Sequence, residues 1–195
     1  MILFVCCCEL RMTSDDDRAW LLALARDAIT AYVTARELVT SISEAIAERR
    51  GGAFVSLHKH GELRGCIGHI EADEALGRVV PRCAVAAAST DPRFPPVSLA
   101  EMPELEIEIS LLGPLEPIDG PADVIIGQHG LVVERDWHRG LLLPQVATEW
   151  QWDAEAFLAQ TCHKAGLPRD AWKHWAKIWR FEAEVFGEKH PPHAA

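Results

Sequence analysis

Glu104-Leu-Glu-Ile-Glu-Ile-Ser-Leu111 decides the fold class. Leu105, Ile107, Ile109 and Leu111 fall on one side of an extended chain, and Glu104, Glu106, Glu108 and Ser110 on the other. A strand with one face on a core and the other carrying carboxylates is the reading. On its N-terminal side, Phe54-Val-Ser-Leu-His and Leu63-Arg-Gly-Cys-Ile-Gly flank Lys59-His-Gly-Glu, which predicts a hairpin. On its C-terminal side, Leu131-Val-Val-Glu and Gly140-Leu-Leu-Leu flank a turn near Arg135 to Arg139, a second hairpin, and Ile178 to Phe186 reads as a last strand. Helical spacing covers Asp15 to about Glu37, Thr40 to Arg50, Asp73 to Ala88 and Ala154 to Ala165, with Ser14 or Asp15 capping the first and Asp153 the last. Asp170 is read as the cap of a shorter helix carrying Trp172 and Trp175. These elements interleave without a βαβ rhythm, so the fold class is α+β, an antiparallel sheet flanked by helices.

The 195 residues suit one domain, with an ordinary 49% hydrophobic content. Nineteen basic residues against 29 acidic ones give a net charge of -10, which argues against nucleic acid and anionic membrane as partners. No apolar run approaches the ~20 residues of a membrane helix. Six cysteines without a C-x-x-C pair read as free thiols of a reducing compartment, so a cytoplasmic protein is expected. Met12-Thr-Ser-Asp looks like a natural start. Residues 1–11 therefore read as a non-native or disordered extension, 14–188 as one domain and 189–195 as a flexible tail.

Phosphate-binding loops, dinucleotide fingerprints, serine-hydrolase elbows and zincin motifs are absent from the sequence. The pairs Cys66/His69 and His58/His60 each fall short of the three or four ligands a metal needs, so neither a metal nor a cofactor is assigned. Leu63-Arg-Gly-Cys-Ile-Gly carries more chemistry. On a strand, Arg64, Cys66 and Gly68 would share a face, setting a guanidinium beside a thiol and favouring thiolate. Gly65 and Gly68 weaken a strand and suggest close approach of a ligand or another backbone. Asp91 and Arg93, held in a proline-stiffened loop, are read as binding residues for an anion or as an internal brace. Glu106 or Glu108 is a candidate base, His129 a candidate general base at a turn, and Lys164 a partner of its own helix C-terminus.

Leu63-Arg-Gly-Cys-Ile-Gly resembles the signature of the AMMECR domain family. Gly52-Ala-Phe-Val-Ser-Leu, Asp91-Pro-Arg-Phe-Pro-Pro-Val, Glu108-Ile-Ser, Gly127-Gln-His-Gly-Leu, Leu142-Leu-Pro-Gln-Val-Ala and Lys164-Ala-Gly-Leu-Pro follow in the family's order. The resemblance spans Ser14 to Glu188. It implies a smaller subdomain with a cleft between it and the rest, and a functional site at Arg64, Gly65, Cys66 and Gly68. Prokaryotic members are called AmmeMemoRadiSam system protein A, which implies a Memo-like protein and a radical S-adenosylmethionine protein as partners.

Two functions follow as expectations. In one, Cys66 is a nucleophile or thiol acid/base, Arg64 and Arg93 hold a small anionic substrate, and His129, Glu106 or Glu108 moves protons. In the other, the domain is a non-catalytic adaptor or binding subunit for those partners. Trp172, Trp175 and Trp179 are then interface anchors, or otherwise core.

Overall fold

The computed structural model describes residues 13–35 and 45–188, so the expectations for residues 1–11, 189–195 and most of Thr40 to Arg50 lie wholly or partly outside it. Helix α1 (Asp15–Val33) starts where Ser14 and Asp17 cap each other reciprocally and turns Leu21, Leu24, Ala25, Ala28 and Ile29 inward. A short α2 (Ala45–Glu48) follows, then β1 (Ala53–Lys59) and β2 (Glu62–His69), the predicted hairpin. Helix α3 (Leu76–Ser89) carries Pro81 inside it. Then come β3 (Leu105–Leu112), a short β4 (Glu116–Pro117), β5 (His129–Arg135), β6 (His138–Leu142), α4 (Pro144–Glu149), α5 (Ala154–Lys164) and β7 (Lys177–Gly187). Asp153 caps α5 by accepting the Ala156 amide, whereas Asp170 makes no side-chain cap and its helix shrinks to one 3-10 turn at Ala171–Lys173.

All pairings are antiparallel, in the order β2-β1-β3-β7-β5-β6, with β4 added to β7. One sheet face carries two apolar cores, separated along β7 by Arg180, Glu182 and Glu184. Val55, Leu57, Ile107, Ile109, Leu111 and Phe186 form a core with α1 and α3; Leu131, Val133 and Ile178 form another with Phe157, Leu158 and Cys162 of α5. Two helical layers thus cover two halves of the same face, as expected of an α+β domain. The sheet curls into a half-barrel. Phe54, Leu112, Val132, Leu141 and Phe181 fill one part of its interior, and Arg139 on β6 meets Glu71 just beyond β2, drawing the two edges together. Glu106, Glu108 and Ser110 of the deciding strand face that interior, beside the part the aromatics leave open. No described helix is long and apolar enough to cross a membrane.

Candidate functional site

Cys66 lies on β2, an edge of the sheet. Its strand register sets everything around it. Ser56 pairs with Cys66 on one side and with Glu108 on the other, so thiol, hydroxyl and carboxylate stand in one cross-strand row on the interior face. Ser56 Oγ donates to Cys66 Sγ at 3.2 Å. The outward amide of Cys66 donates to Asp91 Oδ2 at 2.9 Å, so the loop after α3 closes this stretch of the edge. Asp91 is 4% exposed and also accepts from the Arg93 amide (3.1 Å), Nε (2.9 Å) and Nη2 (2.7 Å). The paired guanidinium holds the Asp91 carboxyl well below the usual carboxylate range. Half of the Arg93 side chain still reaches solvent.

Burial pushes the Cys66 thiol up, more than the Ser56 hydrogen bond and the Arg93 charge pull it down, and the charges of Asp91 and Glu108 push the same way as burial. The expectation of a thiolate favoured by Arg64 is corrected by a bulge. Leu57 pairs with Gly65 but His58 pairs with Leu63, so Arg64 is an extra residue that leaves the face of Cys66. Its Nε instead meets Glu101 at 3.0 Å, Nη2 reaches Glu101 and the Pro96 carbonyl, and the Phe94 ring lies near both it and Arg93. Nη1 is buried and has no partner among the described residues.

The two glycines are explained by protein neighbours. A Cβ on Gly65 would lie 2.2 Å from the Ala87 carbonyl oxygen of α3, and one on Gly68 would lie 2.3 Å from the Phe54 ring. Close approach of another backbone, one of the two alternatives, holds at Gly65.

His129 is not brought to Cys66. It sits on β5 opposite Glu182 of β7, on the helix-covered face, while the row of Cys66 reaches β7 at Gly187, five residues and roughly 17 Å further along. It is 4% exposed, its Nδ1 accepts the Ile125 amide at 3.0 Å, and burial pulls its pKa down. It lines a separate groove of about 200 Å3 with Glu116, Arg180 and Glu182. Lys164 ends α5, also remote from β2.

Two site residues escaped the sequence reading. Ser56 stands within the Phe54-Val-Ser-Leu-His motif, and the pairing of β1 with β2 sets it opposite Cys66. The spacing of His58 and His60 suggests only a metal pair. In fact His58 stays on the interior face two residues from Ser56, while His60 enters the turn with φ 55° and meets Glu104 at 3.2 Å. Cys66 and His69 stand on opposite faces of β2. His69, Asp73 and Glu74 do bring ligand atoms within 4.8 Å of one another, but His69 bonds Asp73 at 2.6 Å and Arg82 grips Glu74 at 2.8 Å. Each of the three thus already has a protein partner.

Comparison with known proteins follows the same outline. The family model described as AMMECR1 matches residues 22–186. A protein of Methanothermobacter thermautotrophicus is 44% identical over 185 residues, covering 90% of this chain and 96% of its own. One of Thermococcus gammatolerans is 43% identical over 190 residues, covering 91% and 93%. The crystal structure of an uncharacterized protein from Pyrococcus horikoshii matches with a TM-score of 0.82 at 40% identity, covering 88% of this chain and 91% of that one.

Proposed function

The chain belongs to the AMMECR1 family, and from that premise we propose that it is a thiol-dependent enzyme acting on a small anionic substrate. The observation that carries this reading is the row of Cys66, Ser56 and Glu108, with Ser56 donating to the sulfur. Cys66 acts as nucleophile or thiol acid/base, with the Glu108 carboxylate in the same cross-strand row as a charge partner. Arg93, oriented by Asp91 and half exposed, holds the anionic group in place of Arg64. Free Cys66, Cys83 and Cys162 suit a reducing compartment, and we assign the protein to the cytoplasm.

Residue-resolved alkylation of the native protein, read by mass spectrometry, tests this. Cys66 reacts before Cys83 and Cys162, which are buried, and small carboxylates or phosphates slow it unless Arg93 is replaced by Met. A Cys66 inert until the protein unfolds would overturn the reading.

A second reading rests on a different observation. Trp137 in the β5–β6 turn is 86% exposed and Trp150 after α4 is 67% exposed, whereas Trp172 and Trp179 pack on the cores. Exposed tryptophans suit an adaptor surface for a Memo-like or radical S-adenosylmethionine partner. Co-purification with those proteins that survives Cys66→Ala but fails on Trp137→Ala or Trp150→Ala would favour it over catalysis.

A further inference from the structure

A thiol that burial keeps protonated needs a base before it can attack anything. The interior face offers candidates next to Cys66. His58 lies on β1 two residues beyond Ser56, diagonal to both Cys66 and Glu108, and such diagonals bring Cβ atoms to roughly 7–8 Å, within reach of a ring. The register of β1 with β3 is unbroken through His58, so its side chain is held on this face even though β2 bulges beside it. His58 and Glu108 both line a groove of about 170 Å3 at this end of the sheet, with Glu106, Gly187 and Glu188. Neither the His58 ring nor the Glu108 carboxylate makes a hydrogen bond or ion pair among the described residues. Ser56 donates to Sγ, so the thiol proton itself is not committed to Ser56.

We infer that His58 is the proton acceptor for Cys66, completing a catalytic cluster of Cys66, His58 and Glu108 directed at an electrophilic carbon. This rests on the thiol-dependent reading above. The S–H bond breaks as its proton passes to a ring nitrogen of His58. The electron pair left on sulfur forms a bond to carbon, and the leaving group departs with the pair of the bond that breaks. Imidazole is nearer a thiol in basicity than a carboxylate is, so His58 rather than Glu108 takes the proton. Glu106 directly across on β3 and Glu108 on the diagonal steady the imidazolium that forms. On the β2 side His58 pairs with the apolar Leu63, Glu188 is engaged by Arg26, and His60 is turned to Glu104.

Iodoacetamide is the probe: sulfur bonds to its methylene carbon and iodide leaves. The rate at Cys66 is followed against pH in the intact chain for wild type and His58→Gln. In wild type the profile carries a limb from the imidazole as well as one from the thiol. His58→Gln removes the imidazole limb and slows Cys66 about tenfold at neutral pH. An unchanged profile in His58→Gln overturns the inference while leaving the thiol reading intact, whereas a wild-type Cys66 that never reacts overturns both. A second measurement is independent of that variant's folding. The His58 ring titration, followed by its Cε1 proton in NMR, has a different midpoint in Cys66→Ser than in wild type. An unmoved midpoint overturns the inference too.

Discussion

Asp91 and Cys66 meet through the backbone rather than through the thiol. The carboxylate takes the outward amide of Cys66 at 2.9 Å while its other contacts orient Arg93. A single buried carboxylate thus closes part of a sheet edge and holds a guanidinium whose charge reaches the sulfur. The stiff Asp91-Pro-Arg-Phe-Pro-Pro loop supplies both at little entropic cost, with Val97 tied back to the Ala88 carbonyl of α3 at 2.7 Å.

Asp91→Ala therefore strands the Cys66 amide and the Arg93 guanidinium together. The cost is about 2 kcal/mol in urea unfolding, chiefly because the Cys66 amide loses a charged acceptor, while solvent takes up much of what the half-exposed Arg93 loses. Asp91→Asn, which keeps one acceptor oxygen, loses less.

Arg64 braces the structure and does not activate the thiol. Arg64→Met lowers the melting temperature but leaves the alkylation profile of Cys66 near wild type. A large drop in Cys66 reactivity would contradict the bulge geometry.

The partner of Arg64 carries a pH signature. Arg64, then the Ser98 amide, pushes the Glu101 pKa down to about 2. A carboxyl depressed in the fold contributes stability above its unfolded value, about 4.3, and loses it as pH falls through about 2. Wild type should exceed Glu101→Gln by about 2 kcal/mol at pH 6, and the gap should close between about pH 5 and 2. Urea titrations at fixed pH values measure it.

Ser56→Ala removes the hydrogen bond that favours the Cys66 thiolate. The alkylation profile of Cys66 shifts to higher pH, and its rate at pH 8 falls about threefold or more. Cys83, whose pKa burial pushes up to about 11, remains slow in both proteins and serves as the internal reference.

Gly65→Ala and Gly68→Ala separate two kinds of crowding. At Gly65 the obstacle is the α3 backbone, which cannot step aside, so the cost is about 3 kcal/mol or more; at Gly68 it is the Phe54 ring, which can turn, so about 1–2 kcal/mol is lost. Equal losses in denaturant unfolding would sink the distinction.

What the chain shows by itself is local. The alternation from Leu105 to Leu111 is the pleat of one strand, and every predicted inward residue is buried. Ser14 and Asp153 act within their own first turns, so their caps are legible from a few residues. Tyr32 follows Ala28 and Ile29 at helical spacing yet is 42% exposed, because the helix's inward stripe is set by what packs on it. The candidate site is less local still. One extra residue at Arg64 sends a guanidinium off the face that simple alternation gives it, and no composition or spacing announces a bulge. Ser56, His58 and Glu108 join Cys66 only through the registers of β1 with β2 and β3, and five residues along β7 with a change of face remove His129 from their company. A strand fixes which side chains alternate, but only pairing fixes which neighbours they meet, since a slip of one residue turns every side chain to the other face.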